Sequence, residues 1–327
     1  MIVLGIETSC DETSVAVVKD GRKILSNAVS SSLRFHKKYG GVVPEIASRM
    51  QLETITQVAQ QAIKESRAKL KQIGFIAVTN RPGLLGSLLT GISFAKAVSL
   101  ALGVPILGVD HVYSHIYANF FNRETPRLPF VALVVSGGHT SLFFVKDFDR
   151  IEVLGQTQDD ACGEAFDKVA KILGLGYPGG PIIEKIAQKA GSKRIMFRCS
   201  GTDRELDFSF SGIKTAVLYA AKGKLLTTAE KKDIAASFQE CVLDALVTKS
   251  LAACKLKKAN QLVIGGGVAV NFRLREKILI AAKDNRIKCF FPPQNLCADN
   301  AAMIAGLGYQ LFKKGKFSGL DLSADLN

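Results

Sequence analysis

A repeat constrains the fold of this chain more than any other feature. Thr13-Ser-Val-Ala-Val-Val-Lys-Asp20 and Thr140-Ser-Leu-Phe-Phe-Val-Lys-Asp147 agree at five of eight positions. Each follows an apolar run and a polar or glycine-rich turn: residues 2–6 and then Glu7 to Glu12 in the first copy, Phe-Val-Ala-Leu-Val-Val and then Ser-Gly-Gly in the second. Run, turn and run make a strand–turn–strand unit. Two copies point to an internal duplication, although short hairpins also resemble one another by chance. A third strand follows the first copy around Lys23–Ser30, and Thr-Ser-Leu-Phe-Phe-Val-Lys-Asp-Phe-Asp-Arg-Ile-Glu-Val-Leu supplies a strand pair in the second. Elsewhere helical and strand patterns alternate. Helices are predicted over Ile46–Leu70, Gly86–Leu102, Glu164–Leu173, Pro181–Ala190, Thr228–Leu256 and Ala301–Lys314, and strands over Phe75–Val78, Ile106–Val109 and Gln261–Ile264. Such alternation describes an α/β chain with mostly parallel pairing beyond the hairpins.

At 327 residues the chain supports two lobes, each able to bury its own core. Two related lobes, each presenting a glycine turn, suggest a phosphate or nucleotide clamped between them. The expected architecture is therefore a two-lobed, duplicated α/β fold of the actin/Hsp70/sugar-kinase (ribonuclease H-like) class, with the active site in the interlobe cleft. The lobes are placed at 1–127 and 128–306, with a tail from about 307 to 327 packing back on the first. A composition 47% hydrophobic and 22% charged is globular and excludes disorder. The net charge of +14 divides into +6 before residue 130 and +8 after it. Spread so evenly, it favours a polyanionic partner but also occurs in proteins that bind none. Seven cysteines without a Cys-x-x-Cys pair suit a reducing compartment. Met-Ile-Val-Leu-Gly-Ile-Glu-Thr-Ser-Cys-Asp-Glu is too acidic for a secretory signal. Leu84 to Val109 carries Lys96 and a Gly-Val-Pro break, so it is expected to form a helix, a turn and a buried strand and not a membrane span.

The four histidines are at 36, 111, 115 and 139. His111 and His115 stand i, i+4 at the start of a predicted helix, so both rings project from one face. Spacing alone fits an exposed helix face as well as a metal site. Val112-Tyr-Ser114 between them lacks the glutamate a zinc protease needs, which disfavours that activity. Asp299 would complete a set of two imidazoles and one carboxylate with open coordination positions. It would equally serve as a helix N-cap. Glycine turns at Val134–Gly138, Tyr177–Pro181, Gly265–Gly267 and Arg81–Gly83 offer backbone amides to phosphate, yet none fits a P-loop or an uninterrupted dinucleotide fingerprint. Carboxylates cluster at Glu7, Asp11 and Glu12, and again at Asp159, Asp160, Glu164 and Asp167. The last three are spaced i, i+4, i+7 and could bind a ribose hydroxyl, bind an amine or solvate a helix. Lys255–Lys258, Arg273–Lys277 and Lys313–Lys316 suit solvated helix faces more than a nucleic-acid contact.

Gly5-Ile-Glu-Thr-Ser-Cys-Asp-Glu-Thr-Ser14, His36-Lys-Lys-Tyr-Gly-Gly-Val-Val-Pro-Glu-Ile-Ala-Ser-Arg49, Asp110-His-x3-His115, Val135-Ser-Gly-Gly-His-Thr140, Asp159-Asp-Ala-Cys-Gly-Glu-Ala-Phe-Asp-Lys168, Tyr177-Pro-Gly-Gly-Pro181, Phe208-Ser-Phe-Ser-Gly-Ile-Lys-Thr215, Gly265-Gly-Gly-Val-Ala and Asp299-Asn-Ala-Ala-Met-Ile304 follow one another in the order of a known family. The chain resembles, over essentially its whole length, the bacterial tRNA N6-adenosine threonylcarbamoyltransferases, formerly described as O-sialoglycoprotein endopeptidases. The resemblance implies a metal-dependent acyl transfer from threonylcarbamoyl-AMP to N6 of adenosine 37, in tRNAs that read codons beginning with A. It implies one divalent metal per subunit, Fe2+ first and Zn2+ second, on His111, His115 and Asp299. It places the adenylate on Val134, Val135, Ser136, Gly137, Gly138, Asp167, Gly180, Glu184 and Asn271, and Asp11 and Glu12 near the reacting centre.

The family's partners would be the tRNA anticodon arm, a smaller paralogous subunit and an ATPase, in the cytoplasm and with no membrane. Glu184 stands where many relatives carry Asp, and Gln51 where they often carry His. Ser114 and Ala298 also depart from the usual residues, but none of the four removes a proposed metal ligand. Two other readings compete: a kinase-like or Hsp70-like ATPase or phosphotransferase of the same superfold, for which a two-His, one-Asp metal site has no purpose, and a non-catalytic nucleotide-binding scaffold.

Overall fold

In the computed structural model, which describes residues 1–191, 195–223 and 225–325, the chain divides into two compact units, Met1–Thr125 with Pro292–Asn327, and Pro126–Phe291. The first break falls two residues before the expected lobe boundary, whereas the return to the first unit comes at Pro292 and not near 307. Residues 326–327 of the expected tail lie outside the described residues.

In the first unit β1 (Ile2–Glu7), β2 (Glu12–Lys19) and β3 (Lys23–Ser31) form the antiparallel meander read from the sequence. After α1 (Leu33–His36) and α2 (Pro44–Ser66), β4 (Ile73–Arg81) pairs parallel to β1. After α3 (Leu85–Leu102), β5 (Ile106–Asp110) pairs parallel to β4 and runs straight into α4 (His111–Tyr117). The sheet order is β3-β2-β1-β4-β5. Leu4, Ile6, Val15, Val17, Ile76 and Val78 bury in one core with Ile55, Val58 and Ala62 of α2 and Leu88, Ile92 and Ala95 of α3. Each such side chain contributes about 1.5–3 kcal/mol. By length and composition α3 is apolar enough to cross a membrane; here it buries Leu88, Ile92 and Ala95 as a core helix does. α2 stops short of the predicted Leu70 because Arg67 turns left-handed (φ 56°). Ser66 secures that exit, its hydroxyl donating to Ile63 O and accepting from Ala68 N–H.

The second unit repeats this plan. β6 (Phe130–Val135), β7 (Thr140–Asp147) and β8 (Arg150–Gln156) are the meander. α5 (Cys162–Ile172), α6 (Gly179–Ala187), α7 (Ser211–Ala221) and α8 (Thr228–Lys257) precede β9 (Gln261–Gly265), which lies parallel to β6. After α9 (Phe272–Asp284), β10 (Lys288–Phe290) pairs parallel to β9. The order β8-β7-β6-β9-β10 matches the first sheet strand for strand, and the two sequence copies fall on the equivalent strands β2 and β7. α7 and β10 were not among the elements predicted from the sequence, and α9 was anticipated only as the helix face of Arg273–Lys277.

α10 (Ala301–Lys313) carries the chain back to the first unit. It covers the sheet face opposite α2 and α3: Phe312 stacks on Phe75 at 4.3 Å between ring centroids, and Gly308 lies against Ala77. A Cβ on Gly5 would come within 2.3 Å of the Ala301 carbonyl, so glycine in mid-strand is what lets the start of α10 lie directly on β1. With both faces covered, β1 and β4 read as continuous apolar runs rather than alternating ones. The whole of α10 packs in this way, which is why Pro292–306 belong with the first unit.

Candidate metal centre and active site

α4 begins where β5 ends. The Asp110 carboxylate caps it by accepting from Tyr113 N–H at 3.0 Å, and Ser114 Oγ donates to Asp110 O at 2.7 Å. In this short helix His111 and His115 fall on one face, buried at 4% and 0% exposure, with rings edge to face at 4.8 Å. Asp299, in the turn before α10, points its Oδ1 at both: 3.6 Å from His111 Nε2 and 3.2 Å from His115 Nε2. The N-cap of α10 is Asn300, whose Oδ1 accepts from Met303 N–H, so the alternative role for Asp299 is already filled. The ligand atoms of His111, His115 and Asp299 lie within 4.8 Å of one another. Neither ring nitrogen of the fully buried His115 has a hydrogen-bond partner among the described residues. A buried imidazole in that state, facing a carboxylate oxygen and a second imidazole, fits a divalent cation.

Behind this cluster stands Glu7, the last residue of β1 and 0% exposed. Its Oε2 lies 2.9 Å from His111 Nδ1 and accepts from Thr79 Oγ1 at 2.7 Å, while Oε1 accepts from Ser9 N–H. Ser9 Oγ is also 3.1 Å from His111 Nδ1. A carboxylate on Nδ1 fixes the ring and leaves Nε2 for a metal. Burial pulls the His111 pKa down, but the carboxylates of Glu7 and Asp299 outweigh it and hold the metal-free group up at about 10. Burial pushes Glu7 up, and the charge and hydrogen bond of His111 bring it below its ordinary value. In the sequence Glu7 stands out as a carboxylate closing an apolar strand and as a member of the acidic cluster with Asp11 and Glu12, neither of which points to His111.

Asp11 ends the turn between β1 and β2, and Glu12 opens β2. Ser31 Oγ donates to Glu12 Oε1 at 3.2 Å. Burial first, and then the charges of Asp299 and Asp11, push Glu12 up to about 9. The field of Asp299 therefore reaches the acidic pair, and the first unit gathers the pair and the candidate metal ligands.

In the second unit the turn after β6 is closed by Ser136 N–H donating to His139 O and His139 N–H donating to Ser136 Oγ. Gly163 and Glu164 at the start of α5 donate their amides to the carbonyls of Ser136 and Gly137, so those amides are spent on the turn. A Cβ on Gly163 would meet Ser136 O at 2.6 Å; glycine lets helix and turn touch. Gly137 and Gly138 are exposed, and their N–H groups donate to nothing among the described residues. Val134 and Val135 are buried in β6 and lead into this turn. Asp167 Oδ1 accepts from Gly179 N–H at 2.6 Å, and Gly180 in the first turn of α6 has no intrahelical acceptor. Glu184 Oε1 accepts from Phe272 N–H at 2.6 Å. Asn271 caps α9 through Leu274 N–H and donates to Gln239 Oε1 at 3.1 Å. Of the three carboxylates expected on one helix face, Asp160 precedes α5 and pairs with Lys168 and Lys214, and Glu164 pairs with Lys168.

A family model described as tRNA N6-adenosine threonylcarbamoyltransferase matches residues 23–306. The protein of that name from Thermosipho africanus (strain TCF52B) is 51% identical over 325 residues, 99% of this chain and 98% of that protein. The one from Dictyoglomus turgidum (strain DSM 6724 / Z-1310) is 50% identical over 330 residues, covering 99% and 98%. Among solved structures, HypF of T. kodakarensis aligns with a TM-score of 0.66 at 15% identity, over 98% of this chain and 48% of that one. Component A of the Acidaminococcus fermentans (R)-2-hydroxyglutaryl-CoA dehydratase aligns at 0.58 and 16%, over 97% and 100%. At such identities these two speak for the fold alone, which is the expected duplicated α/β class. The ordered motifs, the paired meanders, and near-complete relatives at half identity lead to one assignment: the chain belongs to the tRNA N6-adenosine threonylcarbamoyltransferase family.

Proposed function

We propose that this chain transfers the threonylcarbamoyl group of threonylcarbamoyl-AMP to N6 of adenosine 37 in tRNAs reading codons that begin with A. The observation that carries the reading is the convergence of His111, His115 and Asp299 beside the Asp11–Glu12 pair in a chain of this family. His111, His115 and Asp299 would hold one divalent cation, Fe2+ or else Zn2+, which would supply a Lewis-acid centre for the threonylcarbamoyl group.

The chain's own groups do the rest. The amides of Gly137 and Gly138, on the turn carried by Val134, Val135 and Ser136, take the adenylate phosphate. Asp167, Gly180, Glu184 and Asn271 line the adenosine, with Glu184 reaching one methylene further than the Asp of many relatives. An exocyclic adenine amine is a weak nucleophile, and the carbamoyl-phosphate anhydride is already activated, so alignment and charge stabilisation carry most of the catalysis. N6 attacks the carbamoyl carbon, the bond from that carbon to the phosphate oxygen breaks, and AMP leaves with the electron pair. Asp11 accepts the N6 proton, and Glu12, its neighbour in the chain, positions it. The working assembly includes the tRNA anticodon arm, a smaller paralogous subunit and an ATPase, in the cytoplasm.

Mass spectrometry of tRNA nucleosides tests this after incubation with the adenylate-generating synthase, threonine, bicarbonate, ATP and active partners. Threonylcarbamoyladenosine is expected, and its absence overturns the reading. Asp299→Ala should lose bound metal, read by elemental analysis, and at least 99% of transfer, about 3 kcal/mol of transition-state stabilisation, while keeping its circular dichroism. A metal-free variant with full activity overturns the ligand assignment.

A further inference from the structure

The motif running from His36 to Arg49 contributes nothing to the metal centre or to the adenylate turn, yet it frames a buried hydrogen-bond relay. Gln51 on α2 is 0% exposed. Its Nε2 lies 2.9 Å from Cys10 O, 3.0 Å from Glu12 O and 3.4 Å from Thr8 O. A primary amide has two N–H bonds, and the two nearest acceptors flank Asp11. The carbonyl between them, Asp11 O, accepts from Ser32 N–H at 3.0 Å and from Ser32 Oγ at 2.9 Å. Ser32 Oγ in turn lies 2.9 Å from Nε2 of His36, which is itself 0% exposed. Val43 N–H donates to His36 Nδ1 at 3.2 Å, so the ring proton sits on Nε2 and is given to Ser32, freeing the serine hydroxyl to donate to Asp11 O. Carbonyls 10, 11 and 12 are thus held in succession by Gln51, Ser32 and Gln51 again. The opposite end of the Gln51 amide is the telling part: Oε1 is buried with no hydrogen-bond partner among the described residues. An apolar side chain of equal length would avoid that penalty, so the amide is there for its donors.

We propose that Gln51, with His36 acting through Ser32, is a positioning residue that fixes the backbone of Cys10–Glu12 and so aims Asp11 and Glu12 at the reacting amine. This rests on the reading of Asp11 as proton acceptor. An imidazole at this position would offer one N–H to one carbonyl; the amide serves two.

The test is a double-mutant cycle in the reconstituted transfer reaction. Gln51→Met, which keeps length and removes both donors, should lower kcat tenfold or more, with KM for threonylcarbamoyl-AMP within twofold of wild type and metal content unchanged. Gln51→His should recover part of the loss. In an Asp11→Asn background the same exchange should cost less than twofold, because its target is gone; a full, additive cost there means a merely structural role and overturns the proposal, as does a wild-type kcat in Gln51→Met. Should Gln51→Met fail to fold, Ser32→Ala takes its place in the cycle with the same signature expected. Hydrogen exchange separates this proposal from the reading beneath it. The Ser32 amide, donated to Asp11 O, should exchange at least tenfold faster in Gln51→Met. Faster exchange with an Asp11→Asn enzyme of wild-type kcat refutes Asp11 as acceptor but keeps Gln51 as the clamp; unchanged exchange refutes the clamp.

Discussion

Glu7 keeps a carboxylate at zero exposure by finding a donor for each oxygen: Ser9 N–H for one, and Thr79 Oγ1 with His111 Nδ1 for the other. Exchanging Glu7 for Gln preserves the shape but removes the charge that orients the imidazole. Metal affinity should then fall about 10–100-fold, measured by competition against a chromophoric chelator, and an unchanged affinity would deny Glu7 this role. His111 and His115 were legible in the sequence because i, i+4 spacing maps directly onto a helix face. Asp299 was legible only with a competing identity as a helix cap, a place that Asn300 takes. The part played by Glu7 was not legible, because it depends on β1 lying beside β4, which brings Thr79 to it across 72 residues of chain. Asp11 and Glu12 could be picked out as an acidic pair, but the burial that pushes Glu12 up is something spacing does not report.

At the scale of elements, α8 and α9 are tied by a charged lattice: Arg273 forks onto both oxygens of Glu240 at 2.7 and 2.9 Å, and Lys277 lies 2.7 Å from one of them. The Arg273 hydrogen bond first, with Lys277 behind it, overcomes burial and holds Glu240 at about 2 against an ordinary 4.5. A carboxylate depressed in the folded state contributes stability above its unfolded pKa and loses it as pH falls through the folded one. Glu240→Gln should therefore be less stable than wild type by about 1–2 kcal/mol at neutral pH. The gap in urea midpoint should narrow as pH drops from 4.5 towards 2; a gap that is flat across that window would show the lattice to be idle. The apolar stripe of α9, Leu274, Ile278 and Ala282, is buried and has helical spacing. The cluster of Arg and Lys around it had read as a solvated face, and the lattice shows that Arg273 and Lys277 are paired within the unit. α7 went unpredicted for a different reason: its start is held from outside, by Asp159 accepting from Ser209, Phe210 and Ser211, and such a distant anchor leaves no local pattern.

For the molecule as a whole, the duplication seen as five matching residues is a duplication of strand order in two sheets. The alternation of patterns revealed the class, while the parallel neighbours of β1 and β6 emerge only when helices cover both faces. The net charge of +14 now has a candidate polyanion in tRNA. Affinity for tRNA should fall by an order of magnitude or more between about 50 and 200 mM salt, read by filter binding; salt-insensitive binding would dissociate the charge from recognition. Some of that charge is already committed, since Lys257 in the Lys255–Lys258 group pairs with Glu152 at 2.6 Å. The return of the chain to its first unit at Pro292 has a consequence for biosynthesis. A ribosome delivers β1 to α4 first and then the entire second unit, and only afterwards Asp299 and α10. Until then one face of the first sheet, with Gly5, Phe75 and Ala77, has no cover and the two imidazoles lack their carboxylate. The nascent first half must wait, open-faced and unable to assemble its candidate metal site, while the whole second half is made.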